Sequence, residues 1–286
     1  FFTVVGHGIP AGDMDDAFDA SEQFFSSFDV ETKQNASPFA AHLNSGYEYK
    51  SQVRPSTGTA DQKESIQVTA REGCMDGRWP SDAAFKTVVE RLMEKSHALA
   101  CRLLNLLQPH ACPHLPPGTI ANSHTLWGPD GQCTLRMLHY PPMSKETLQE
   151  LITPDAEGRI SWRAGPHTDW ANVTLLFQRS GQNGLECCSN PRSAGVKQWT
   201  PVDPVEGGIA INIGDMLARW SDGALYSNLH RVRMPTVEEC GSSRYSIAFF
   251  MQADKSAMME SKTHEPITAG DYILSRLKSN FEKKPK

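Results

Sequence analysis

The segment Gly165-Pro166-His167-Thr168-Asp169-Trp170 sets an imidazole and a carboxylate two residues apart. On extended backbone, residues i and i+2 point to the same side, so both groups converge without a special loop. A third ligand must come from a distant segment. His230, within Ser227-Asn228-Leu229-His230-Arg231-Val232, opens a β-like run 63 residues past His167. Two imidazoles and one carboxylate on a single face leave positions open on an octahedral metal, which is how iron(II) oxygenases take up a cosubstrate and O₂ together. Borderline nitrogens and a hard oxygen suit Fe(II). A hydrolytic zinc ion accepts the same set, and His-x-Asp alone is a common pairing, so at this level both metals stay open. His7, His42, His97, His110, His114, His139 and His264 read as surface, capping or packing residues, and His124 is held open as a further candidate.

These groups need strands to hold them, and the second half of the chain supplies them. Thr134 to Tyr140, Val173 to Gln178, Gly208 to Ile213, His230 to Met234 and Tyr245 to Met251 are short β-leaning runs divided by Gly, Pro, Asn and Asp. Leu185 to Cys188 reads as another strand, with Cys187 a packing residue. Asn212-Ile213-Gly214-Asp215 reads as a structural turn in which Gly214 permits positive φ.

Upstream, Met14, Phe18, Phe25 and Phe28 recur at helical spacing from Asp13 to Phe28, with acidic residues crowding the first turn. Trp79-Pro80-Ser81 starts a longer helix, whose stripe of Phe85, Val88, Val89, Leu92, Leu99, Leu103 and Leu106 runs to Pro109. Between the two, about Asn35 to Gly77, the chain is rich in Ser, Gly, Thr, Gln and charge without a sustained period. We read it as irregular and as a mobile lid over a substrate. Phe1 to Val5 is strand-like and ends at the turn Gly6-His7-Gly8-Ile9-Pro10, an abrupt opening that leads us to expect native sequence ahead of it. The order of elements predicts a mainly β protein with helices (α+β): residues 1–120 a mostly helical region packed on a 121–286 core with a helical tail, all one structural unit.

The ordered set of motifs resembles the isopenicillin N synthase-like family of Fe(II)/2-oxoglutarate dioxygenases over nearly the whole length. Phe1 to Pro10, Phe24-Phe25, Glu31-Thr32-Lys33, Gly46-Tyr47, Lys63-Glu64 and Trp79-Pro80 resemble its first third. Leu135 to Pro142, His167-Thr168-Asp169-Trp170, Thr174 to Gln178, Gly184-Leu185-Glu186, Asn212 to Asp215, Asn228 to Val232 and Arg244-Tyr245-Ser246 then follow in the family's order.

The resemblance implies a double-stranded β-helix, or jelly roll, braced by N-terminal helices. It assigns His167, Asp169 and His230 to iron, and Arg244 with Ser246, the Arg-x-Ser pair, to the distal carboxylate of 2-oxoglutarate, with Tyr140 as a further donor. A guanidinium fork does match a carboxylate, and a hydroxyl at i+2 shares its face. Where many members carry Asn-Tyr-Tyr-Pro, this chain has Leu138-His139-Tyr140-Pro141, so an Asn that can contact the cosubstrate is absent.

The implied reaction couples decarboxylation of 2-oxoglutarate to succinate and CO₂ with hydroxylation, desaturation or cyclisation of a small or medium metabolite, consuming O₂, with ascorbate as reductant in vitro. Trp170, Phe250 and Tyr47 are the expected pocket residues. The alternatives are an iron oxidase of the same fold that needs no 2-oxoglutarate, an inactive binding jelly roll, and a zinc hydrolase.

Bulk properties agree with an ordinary soluble enzyme. A formal net charge of -5, with 39% hydrophobic and 21% charged residues, suggests neither a nucleic-acid nor an anionic-membrane partner. Apolar runs stop well short of the ~18 residues that span a bilayer. Seven cysteines at irregular spacings, without a CxxC pair, fit free thiols in a reducing compartment. We therefore expect a cytoplasmic monomer acting in secondary metabolism.

Overall fold

The computed structural model describes residues 1–188 and 198–281. In chain order the elements are β1 (Phe2–Val4), α1 (Ala11–Ser27), α2 (Val30–Ala36), β2 (Gly46–Tyr49), β3 (Glu64–Thr69), α3 (Ala83–Ala111), α4 (Thr119–Asn122) and β4 (Thr134–Tyr140). Then follow α5 (Lys145–Ile152), β5 (Ala164–His167), β6 (Val173–Gln178), β7 (Leu185–Cys188), β8 (Trp199–Pro201), β9 (Ile209–Ile213) and α6 (Asp215–Trp220). The chain closes with β10 (His230–Val232), β11 (Arg244–Met251), β12 (Met258–Met259), β13 (Ile267–Thr268) and α7 (Ala269–Phe281).

Two antiparallel sheets form the core. The larger has the order β1-β9-β6-β11-β4-β3-β2, the smaller β5-β10-β7-β8. This is the expected jelly-roll arrangement. Side chains alternate across a strand, and the register divides the large sheet into two unlike faces. On one face Leu135 and Met137 of β4 lie beside Phe249 and Ile247 of β11, and Phe177 and Leu175 of β6 beside Ile211 of β9. All are buried in one apolar cluster with Phe18, Phe24 and Phe25 of α1 and Phe85, Val89, Leu92 and Met93 of α3. Each such side chain contributes about 1.5–3 kcal/mol by leaving water, so this face docks the helices. The other face carries Thr134, Arg136 and Tyr140 of β4, Arg244, Ser246 and Phe250 of β11, Gln67 of β3 and Asn212 of β9. It looks toward the small sheet and is mostly polar.

The long helix α3 starts where Asp82 caps it, accepting from the Ala84 N–H at 2.8 Å. Its buried side follows the expected stripe, except that Leu106 is 71% exposed, on the outward side of a helix that stays buried through Leu104, Gln108 and Ala111. The segment expected to be irregular is corrected here. β2 and β3 lie within it as two strands of the large sheet, and every residue of β3 is buried. Glu64, Ser65, Gln67 and Thr69 mask the strand because their polar side chains meet buried partners instead of water. Residues 37–45, 50–63 and 70–77 fit the looser description, and the middle stretch is tied to the small sheet's approach by Gln62 N–H to Trp162 O at 2.8 Å and Ser56 Oγ to Pro166 O at 2.7 Å.

Candidate metal centre and anion pocket

His167 ends β5, His230 begins β10, and the two are register partners across the small sheet. Their ring centroids lie 4.3 Å apart. Asp169 enters from the link to β6, its Oδ1 3.8 Å from His167 Nε2 and 3.6 Å from His230 Nε2, wider than a hydrogen bond. The remaining atoms are held elsewhere. Nδ1 of His167 faces the Gly165 carbonyl at 2.8 Å, and Nδ1 of His230 the Asn228 carbonyl at 3.3 Å, which turns both Nε2 atoms inward. Oδ2 of Asp169 accepts from Thr174 Oγ1 at 2.7 Å and Asn212 Nδ2 at 2.8 Å, leaving Oδ1 to the cluster. Burial, and then the Arg54 guanidinium, hold the His167 imidazole well below its usual value, so the ring is neutral. One donor atom from each of the three residues thus lies within 4.8 Å of the others, two nitrogens and one oxygen on one side, a set that fits an iron(II) ion.

The turn behind Asp169 depends on Gly214, for a reason different from the one expected. Its φ is −102°, open to any residue, but a Cβ there would sit 2.0 Å from the Ala171 carbonyl oxygen. Close approach of backbone, not positive φ, requires the glycine. With the gap closed, the Asp215 N–H donates to the Asp169 carbonyl at 2.7 Å.

On the inner face of the large sheet, Arg244 stands opposite Tyr140 in register and is 2% exposed. Its Nε donates to the carbonyls of Gln182 and Asn183 at 3.2 and 3.0 Å, which leaves the fork directed at Ser246 Oγ (3.4 Å) and Gln178 Oε1 (3.3 Å). The Tyr140 ring lies 5.0 Å from the guanidinium carbon. Among the described residues no carboxylate is within ion-pair distance of Arg244. A buried cation held by neutral acceptors alone is costly, and a ligand carboxylate offsets that cost. Burial pulls its pKa down and pushes that of Tyr140 up.

Sequence reasoning missed Arg163. It is 3% exposed, 5.8 Å from the same Tyr140 ring, and its Nε and Nη2 have no hydrogen-bond partner; burial and then Arg244 push its pKa down to about 10. The available signal was its place four residues before His167, in phase with it on an extended chain.

Phe250 lies on the inner face, paired with Thr174 of β6 and Thr134 of β4. Trp170 is half-buried directly after Asp169. Tyr47 is not in the pocket. It belongs to the helix face, buried among Phe24 and Phe25, and its hydroxyl donates to Glu64. Its parity decides this, because Tyr47 pairs with Ile66, whose side chain is in the apolar core. The same carboxylate takes Lys33 Nζ at 2.7 Å and His139 Nδ1 at 2.6 Å; burial raises the Glu64 pKa, and bonds from His139, Lys33 and Tyr47 outweigh that and hold it low. His124 is likewise no ligand. It is buried between the Ile120 carbonyl (2.8 Å from Nδ1) and Asn172 Nδ2 (2.9 Å from Nε2), tying α4 to the turn after Asp169.

Comparison with known proteins gives the same reading. The 2OG-Fe(II) oxygenase superfamily signature matches residues 131–253, and that of the "non-haem dioxygenase in morphine synthesis N-terminal" region matches residues 1–82. A 2-oxoglutarate-dependent dioxygenase of Aspergillus niger, caaD, is 29% identical over 98% of this chain and 82% of its own. The 2-oxoglutarate-Fe(II) type oxidoreductase hxnY of Emericella nidulans is 27% identical over 98% and 81%. Among solved structures, a full-length Neurospora crassa protein in complex with alpha-KG superimposes with a TM-score of 0.79 at 26% identity, covering 96% of this chain and 85% of that one. A 2OG-Fe(II) oxygenase family protein from Caulobacter crescentus gives 0.77 at 26%, covering 97% and 88%. The chain belongs to the 2OG-Fe(II) oxygenase superfamily, in its isopenicillin N synthase-like branch. It is an Fe(II)- and 2-oxoglutarate-dependent dioxygenase, an oxidoreductase that uses O₂ to oxidise a small or medium metabolite and releases succinate and CO₂. Among the described residues no helix is long and apolar enough to cross a membrane.

Proposed function

We propose that His167, Asp169 and His230 hold the iron and that Arg244, Ser246 and Tyr140 hold the distal carboxylate of 2-oxoglutarate. The observation that carries this is the orientation of the donor set. Both Nδ1 atoms and one Asp169 oxygen are occupied by fixed neighbours, so two Nε2 atoms and one oxygen face a common point. The iron(II) ion that these three residues would hold would supply the oxidative chemistry with the cosubstrate and O₂.

The protein's own work is positioning. Asn212 and Thr174 keep the Asp169 carboxylate aimed, and the backbone bonds of the two imidazoles fix their tautomers. Arg244 takes the far carboxylate in a fork already oriented by Gln182 and Asn183, while Ser246 and Tyr140 donate beside it. Phe250 and Trp170 line the substrate side and keep water from the reacting centre. The choice among hydroxylation, desaturation and cyclisation lies with the substrate. Residues 1–120, mostly helical but with three strands in the large sheet, act as one unit with residues 121–286, and the enzyme works as a cytoplasmic monomer on a small molecule, without nucleic acid.

The test is aerobic incubation with Fe(II), ascorbate and 2-oxoglutarate, with succinate measured in the presence and absence of candidate metabolites. Succinate that rises with one metabolite and vanishes in His167→Ala supports the reading. Equal succinate from that variant rejects the site assignment.

A further inference from the structure

The inner face carries a cation that neither the triad nor the 2-oxoglutarate pocket uses. Arg136 of β4 stands opposite Ala248 of β11 and Gln67 of β3. On one side of it is the row of Thr134, Phe250 and Thr174, whose last member hydrogen-bonds Asp169; on the other is the row of Leu138 and Ser246. One such step along a strand is roughly 7 Å, so Arg136 stands on the row between that of the metal centre and that of the cosubstrate pocket. It packs 5.9 Å from the Phe250 ring, Nε donates to Gln67 Oε1, and Nη1 reaches Gln52 Oε1 at 3.5 Å. Both acceptors are neutral amides. Among the described residues no carboxylate lies within ion-pair distance of Arg136.

The surrounding charges do not supply one. Arg54 and Lys63 already share Asp61, and the Glu48 carboxylate is spent on Ser51 Oγ at 2.8 Å and Gln52 Nε2 at 3.0 Å. A half-buried guanidinium with only amide partners leaves part of its fork for another acceptor, and the planar group that matches it is a carboxylate. Phe250 beside it offers an apolar surface for the body of the same molecule.

We propose that Arg136 determines specificity by binding a carboxylate of the substrate, so that the enzyme oxidises small carboxylic acids whose apolar part rests on Phe250. This rests on the iron and 2-oxoglutarate reading and deepens it. One half-buried guanidinium between two glutamines suits a monoanion better than a phosphate dianion, because Arg54 and Lys63 are committed to Asp61.

The test uses protein loaded with Fe(II) and 2-oxoglutarate without oxygen, titrated calorimetrically with benzoate, phenylacetate, cinnamate and octanoate, each beside its primary amide. At least one acid should bind, its amide at least about 30-fold more weakly, and Arg136→Gln should weaken the acid by about the same factor and leave the amide unchanged. Arg136→Lys should recover part of the loss. Both variants should bind 2-oxoglutarate within about threefold of the parent, which also certifies their folding. The proposal is overturned if acid and amide bind alike, if no acid binds, if Arg136→Gln leaves the acid untouched, or if 2-oxoglutarate affinity falls in step with it. Failure of the underlying reading looks different, since the unsubstituted protein would then show no iron-dependent binding of 2-oxoglutarate.

Discussion

Replacing Arg244 by Met removes a guanidinium while keeping most of its stem. The native group is buried, its Nε is fixed by two carbonyls, and its two terminal nitrogens make only long contacts of 3.4 and 3.3 Å to Ser246 and Gln178. A cosubstrate carboxylate replaces those contacts with charge-assisted ones. Breaking such a buried pair costs about 2–5 kcal/mol. Here Arg163 keeps a second positive charge 5.8 Å from the same Tyr140 ring, which places the expected loss in the lower half of that range. We expect about 2–3 kcal/mol, a 2-oxoglutarate dissociation constant raised about 30- to 150-fold. Adding Arg163→Gln should raise it beyond about 1,000-fold. The assay is anaerobic titration of iron-loaded protein, with 2-oxobutyrate run beside 2-oxoglutarate. The shorter acid chelates through the same atoms but has no distal carboxylate, so its affinity should move by less than about threefold. A folded Arg244→Met protein that loses less than about fivefold for 2-oxoglutarate, or loses equally for both acids, refutes the assignment.

His167→Ala, Asp169→Ala and His230→Ala should each abolish iron retention and turnover with the circular dichroism spectrum unchanged; normal iron content in any one removes that residue from the triad. Asn212→Ala or Thr174→Val frees one bond to Asp169 Oδ2 and should weaken iron binding about 10-fold, up to about 100-fold, measured by chelator competition, and equal affinity would show that these bonds do not tune the ligand. His124, whose pKa burial pushes down to about 4, makes stability depend on acid. The unfolded chain takes up this proton first, so stability is complete above about pH 6.5 and falls by about 3 kcal/mol as pH drops toward 4. In denaturant titrations His124→Gln should remove that share of the slope, and an unchanged slope would contradict the buried neutral form.

The triad was legible because two of its members lie at i and i+2 and the third opens a β-like run, so local geometry carried the information. Strands β4, β6, β9 and β11 were legible because their helix-facing residues are apolar and evenly spaced. β2 and β3 were not, because burial there is against partners that sequence alone does not disclose: Lys33 for Glu64, Arg136 for Gln67. Tyr47 was placed in the pocket on residue type, whereas its pairing register with Ile66 puts it on the opposite face. Gly214 was noticed for the right position and the wrong reason, since its constraint is a neighbouring chain segment and not its own dihedral. Arg163 and Arg136 carry no motif, and their roles emerge only when the sheet brings them beside Tyr140 and Phe250.

The two unlike faces of the large sheet also separate what selection can change freely from what it cannot. On β4 and β11, every second residue anchors the helices in the large apolar core, and the residues between them line the chamber, where Leu138, Tyr140 and Ala248 belong to a much smaller buried cluster. Substitutions at the lining positions therefore draw on a small part of the folding free energy, whereas their immediate neighbours in sequence draw on a large one. Such a strand lets a lineage exchange one substrate for another by altering alternate residues, with the scaffold's stability held almost constant throughout.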